Sequence, residues 1–274
     1  MSSKRMMFFS IVAMAFCLAA FTQSPAEPGY RDLVELNQEL VRFEEPTLVD
    51  GIRDYSAATM ETKRRELESF RKRLAAIDAE SWSTSQKVDY LIVYAHINEI
   101  DFGLRVVRSW SRDPGLYLDQ VKRVPYVDVP IPAGDQAKFR ERLKTVPKVV
   151  EQAKVNLTEP AKELAALAIR HLERYDGVGQ GVPWRAEPPE GTVGWYRDLI
   201  ERLSEHHKDL LPDAEAALAA VEGYRDWLET KSPQMTEPAW IGLEHFNWFL
   251  RHVGLMPYTV DDLAMLGERE LSRW

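Results

Sequence analysis

Cysteine is nearly absent from this chain, and what little there is sits where it cannot help a folded domain. Cys17 is the single cysteine, and it lies in an apolar N-terminal run. If that run is a leader that is cut away, disulfides, thiolate nucleophiles and cysteine-ligated zinc are all excluded. Phe16 is too bulky for the position just before a lipidated cysteine. The fold must then be held by its core, and roughly 250 residues suffice for one large domain or two small ones. Long hydrophobic runs are also missing. The apolar stretch over residues 6–21 is short for a membrane span, which needs about 20 residues. Positive charge is not concentrated anywhere. The net charge is −8, and it becomes two units more negative once Lys4 and Arg5 leave with a leader. An acidic chain without a basic stripe argues against nucleic-acid binding.

Histidine is sparse and wrongly spaced for a helical metal site. The six are His96, His171, His206, His207, His245 and His252. No two are three or four apart, none is followed by glutamate, and none has glutamate three residues before it. A His-Glu-x-x-His zinc helix and a di-iron bundle both need such spacings, so that the ligands reach one ion. His206 and His207 point about 100° apart on a helix and read as a polar helix terminus. His245 and His252 lie two turns apart, able to line a groove but not to chelate one ion. No Gly-x-Ser-x-Gly elbow and no Walker loop occurs. The glycines at 177, 179 and 181 imitate a phosphate loop, but they follow a helix pattern and read as a flexible connector. Asn156-Leu157-Thr158 fits a glycosylation triplet, yet it falls at an expected helix end and reads as chance. Paired acids such as Glu201 with Glu205 read as solvated helix faces.

Other signals are positive. Lys4 and Arg5, the apolar run and the small residues of Ser24-Pro25-Ala26 have the layout of a secretory signal peptide over residues 1–26. That implies a periplasmic or secreted protein with no other membrane segment. Beyond it helical periodicity dominates. Leu67, Phe70, Leu74 and Ile77 share one face over residues 60–78. Ser83 with Gln86 forms a capping box that opens a long helix carrying Val88, Leu91, Ile92, Ala95, Glu99 and Phe102. Pro147 suits a first helical turn, followed by the stripe Val149, Val150, Ala153 and Leu157. Pro160 opens a helix with Leu164, Leu167, Ala168, Leu172 and Tyr175. Thr192 is placed to cap the helix of Trp195, Leu199 and Leu203. Further helices are expected over 214–228, over 239–253 and from Thr259 onward. Residues 124–131 look strand-like, but Pro125, Pro130 and Pro132 make them an extended connector. The expected fold is all-α: a multi-helix antiparallel, bundle-like domain around one core.

Aromatic side chains gather late, at Trp240, Phe246, Trp248, Phe249 and Tyr258. A helix apolar on most sides is central to its domain or is covered by another element. The helical pattern after Thr259 runs to Trp274 without a stop signal, so the expectation is a chain cut within a larger structure.

Four segments carry a family likeness. They are residues 83–101 with Asp89-Tyr90, Trp110 through Asp113-Pro114 to Tyr117, Val146-Pro147 through Asn156-Leu157 to Pro160, and Gly242-Leu243-Glu244-His245-Phe246-Asn247-Trp248 through to Glu270. In this order they resemble the N-terminal half of the bacterial domain-of-unknown-function 885 family, relatives of zinc-dependent peptidases. The resemblance runs from about Leu33 to the end. It implies an exported, metallopeptidase-like hydrolase acting on a peptide substrate, with residues 27–274 as a helical N-terminal region. It also implies zinc for a full-length relative, held in a His-Glu-x-x-x-x-His-type helix beyond this chain. No catalytic residue, metal ligand or cofactor is therefore assigned within these residues, and a C-terminal half is the implied partner. Under this reading the chain forms one wall of a substrate cleft, with His245, Asn247 and Tyr258 as candidate lining residues. Their plain alternative is interhelical hydrogen bonding. Two other readings compete: a non-catalytic cell-envelope helical protein that binds a peptide or protein partner along an amphipathic groove, and the product of a disrupted gene.

Overall fold

The computed structural model describes residues 29–174 and 183–274. The leader with Cys17, Tyr175 and the glycine loop at 177–181 lie outside them. Among the described residues the fold is all-α, with one two-stranded hairpin.

Three helices build a first core. Leu33, Leu36 and Leu40 recur at helical spacing on one face of α1 (Tyr30–Glu44). They pack with Leu67 and Leu74 of α2 (Ala57–Ala75), Val93 and Ile97 of α3 (Thr84–Phe102), and Trp82 before α3. Each fully buried leucine contributes about 1.5–3 kcal/mol. Ser56 caps α2 by accepting the Thr59 N–H, and the Ser83–Gln86 capping box opens α3 as the sequence suggests. Between α1 and α2, β1 (Leu48–Val49) and β2 (Ile52–Arg53) pair antiparallel across Asp50-Gly51. Both turn residues take positive φ, the requirement that makes Asp-Gly a favoured hairpin turn. On α3 the buried apolar residues are Val93, Ile97 and Phe102, whereas Val88, Leu91 and Ile92 are exposed.

A wide π-helical turn, Gly103–Val107, ends α3 and leads through α4 (Ser109–Arg112) and α5 (Pro114–Val121) to a second core. Here α6 (Ala133–Asn156), α7 (Lys162–Glu173), α8 (Gly191–His206) and α9 (Leu211–Lys231) pack together. Leu143, Val146, Val150 and Ala153 of α6 meet Ala214, Ala217 and Val221 of α9, where alanines permit close approach. Three buried tyrosines tie this core to α4 and α5. Tyr117, Tyr196 and Tyr224 donate to the carbonyls of Trp110, Val121 and Pro114 at 2.6, 2.9 and 3.0 Å. Burial pushes all three phenols up from their ordinary pKa. The connector at 124–131 forms no strand, as its prolines imply, but it starts in a turn and bends at Val129-Pro130 where an extended run was expected, and it hangs from α8. Arg202 donates to the carbonyls of Val127 and Pro125, and His207 Nε2 accepts the Ile131 N–H at 2.8 Å.

Several expectations are corrected. The buried residues form two cores, not one. Pro147 lies inside α6, not in a first turn. Residues on both sides of it are buried against α9, and that packing outweighs one missing N–H bond. Thr192 is not a cap. Its hydroxyl donates to the His171 carbonyl, and α8 starts at Gly191, where φ is +63° and a Cβ would stand 2.4 Å from the Leu172 carbonyl oxygen. Leu167 faces solvent, and Ala165, Ala168 and Leu172 form the buried face of α7. The histidine pair does end α8, with His206 exposed, but His207 at the cap is buried as a hydrogen-bond acceptor.

Candidate functional site

The last described helices return from the second core to the first. After α9 an extended segment lies beside residues 159–163. The Lys162 N–H donates to the Glu237 carbonyl, Arg112 to the Pro238 carbonyl, and the Ala239 N–H to the Glu163 carboxylate. Then α10 (Leu243–His252) lies along α3. Residues four apart on α3 make the contact. Tyr94 is hydrogen-bonded to His252 Nδ1 at 2.7 Å, Asn98 donates to the His252 carbonyl at 3.4 Å, and Phe102 stacks on Trp248 at 5.7 Å between centroids. Phe249 leans on the same Phe102 ring at 5.3 Å, and Trp248 lies 4.8 Å from the His252 ring. Helix α11 (Val260–Leu271) begins with a Thr259–Asp262 capping box and contributes no buried residue. Those bonds from Thr259 hold the Asp262 carboxyl below its usual range.

The structure separates the three residues proposed for a cleft wall. His245 is exposed on the first turns of α10. Asn247 is half-buried, and its Oδ1 accepts the Val260 N–H at 2.8 Å, which fixes the start of α11. Tyr258 is exposed in the turn between the helices. No hydrogen bond, ion pair or ring contact joins them to one another among the described residues. His252 is the functional-type side chain that the sequence reading left in the background. Its four-residue spacing to Trp248, and the Tyr94–Asn98–Phe102 spacing on α3, are signals that could have found the pairing.

This region can present a face, but it holds no complete catalytic group. Tyr94 and His252 could pass a proton between them, and among the described residues no carboxylate is bonded to the ring. Nowhere among the described residues do three His, Cys, Asp or Glu side chains converge as a metal ion requires. The residues present therefore do not fit the zinc that the resemblance implies for a full-length relative. Two clefts lie away from this face. One of about 560 Å³ runs between Lys154, Thr158, Trp227 and Glu237. A more apolar one of about 420 Å³ lies between the hairpin, Met60 and Leu104. No described helix is long and apolar enough to cross a membrane.

These features define an all-α protein of two packed cores, with an aromatic helix laid from the second back onto the first. The chain belongs to the family described as "Bacterial protein of unknown function (DUF885)", whose model matches residues 44–274. It is similar in fold to a solved structure described as a "putative lipoprotein of unknown function" from Shewanella oneidensis. The TM-score is 0.59 at 16% identity, over 89% of this chain and 44% of that one. This chain thus spans less than half the length of that structure. No curated protein matches it.

Proposed function

We propose that this chain is the helical N-terminal part of an exported zinc-peptidase-like hydrolase, forming one wall of a peptide cleft while residues outside the chain hold the metal. The observation that carries the reading is the number of exposed apolar side chains in and around the last two helices. Trp240, Leu243, Phe246, Met265, Leu271 and Trp274 are exposed there, Trp240 to 68% and Trp274 completely. Large apolar side chains left exposed along one stretch of chain favour a surface that another element covers. The family membership and the 44% span of the similar structure support the same reading. No chemical step is assigned to the described residues. Their part is to bind and shape: His245 and Tyr258 offer polar groups along the same stretch, and Asn247 sets the direction of α11.

The second reading, a non-catalytic cell-envelope protein, draws on the same side chains, against which an amphipathic helix of a partner would lay its apolar side. The test is made on protein purified from its native cell. Stoichiometric zinc, with peptide hydrolysis that a chelator abolishes, supports the hydrolase. Absence of both, with peptide retained on the protein, supports the binding protein.

A further inference from the structure

The cleft by the hairpin and the cleft at the end of α9 differ in what their polar side chains already do. By the hairpin, Glu44 is bonded to His96, Asp54 to Ser56 and Thr59, and Lys63 to the carbonyls of Phe43 and Glu45. The cleft of about 560 Å³ opens where the last turn of α6, the turn before α7, the end of α9 and the segment after it meet. Two of its charges are engaged: Lys154 pairs with Glu151, and Glu159 with Arg108. That leaves one charge of each sign, Lys231 and Glu237. Among the described residues neither side chain makes an ion pair or a hydrogen bond, with the other or with any third group. Thr158, Gln234 and Thr236 line the same cleft, and their side chains bond to nothing there.

Trp227 supplies the apolar wall. It is half-buried, and its ring stacks on Tyr224 at 6.2 Å between centroids. Tyr224 is itself held by its bond to the Pro114 carbonyl. The indole is thus placed before any ligand arrives, which lowers the ordering cost of binding. A ligand with only a carboxylate would satisfy Lys231 and face Glu237 unpaired. One with only an ammonium would do the reverse. We infer that this cleft binds a small zwitterion with an apolar body, of which a free α-amino acid with an aromatic side chain is the simplest. Its carboxylate meets Lys231, its ammonium meets Glu237, and its ring packs on Trp227, a contact that adds to plain area burial. The uncharged donors of Thr158, Gln234 and Thr236 are at hand for the remaining carboxylate lone pairs. The volume lies within the range of about 300–1,000 Å³ usual for small-molecule sites. A lysine in the last turn of a helix is favoured by the dipole alone, but that accounts neither for the free carboxylate nor for the fixed ring beside it. The inference does not rest on the proposed function, since it needs neither a metal nor a further half.

The test is titration calorimetry of the full chain with L-phenylalanine. Binding should saturate, with a Kd below about 1 mM. Three probes each remove one feature. N-acetyl-L-phenylalanine lacks the ammonium, L-phenylalaninamide lacks the carboxylate, and glycine lacks the ring. Each should bind about tenfold more weakly or worse. Lys231→Gln should no longer distinguish phenylalanine from its amide. Glu237→Gln should no longer distinguish phenylalanine from its N-acetyl form. Both side chains are exposed, so both variants should keep the wild-type Tm. Absence of saturable binding by phenylalanine would overturn the inference. So would a derivative that binds as tightly as phenylalanine, or full discrimination retained in both variants.

Discussion

His207 shows what a buried polar side chain does in this molecule: it holds a segment that has no ladder of its own. Its Nε2 takes the Ile131 N–H, and removing it strands a buried donor. His207→Ala should cost about 1–3 kcal/mol in urea unfolding, since the unpaired N–H bears its full desolvation cost. Asp101 is the charged counterpart. Burial pushes its carboxyl up, but bonds from Arg105 and Arg71 outweigh this and hold it below the usual range. A carboxyl lowered in the folded state adds stability above its unfolded pKa, near 4, and loses it as the pH falls through the folded value. Asp101→Asn should cost about 1.5–3 kcal/mol at pH 7. Its stability should then fall less steeply than the wild type's below about pH 4. Neither role was legible beforehand. The histidine pair looked like a solvated helix end because its partner lies 76 positions away, and only the folded connector brings Ile131 to it.

Helices were the legible elements because each carries its own period and punctuation. Ser83 with Gln86 and Thr259 with Asp262 are observed as capping boxes. Legibility failed where packing overrode a local rule. Pro147 normally marks a start, yet α6 runs through it, pressed on α9. Pro147→Ala restores an N–H in a helix interior and should raise stability by about 1–3 kcal/mol in urea unfolding. A loss instead would mean that the packing on α9 needs the proline. On α3 periodicity could not say which of several apolar stripes is buried, and Val88, Leu91 and Ile92 face outward. Helix α11 has no buried residue, and it depends on its cap and on Asn247. Asn247→Ala should speed hydrogen exchange through residues 260–271 while leaving α6 and α9 unchanged. If Asn247 serves only a ligand, exchange in α11 will not move.

The whole molecule was legible as a class, all-α, but not as an arrangement. One expected core became two, joined by a π turn and by α10 laid back on α3. Chain order alone does not specify that return, because the Tyr94–His252 bond spans 158 positions. The candidate wall residues sit on α10 and in the turn after it, as separate side chains with separate surroundings. Exposed apolar side chains lie in and around α10 and α11, and under the proposed function they are covered within a larger protein. Its most direct test is the intact mass of the protein made by its native cell. The account predicts a species clearly heavier than the 31.5 kDa of this chain. A species lighter than that by only a leader peptide would contradict it.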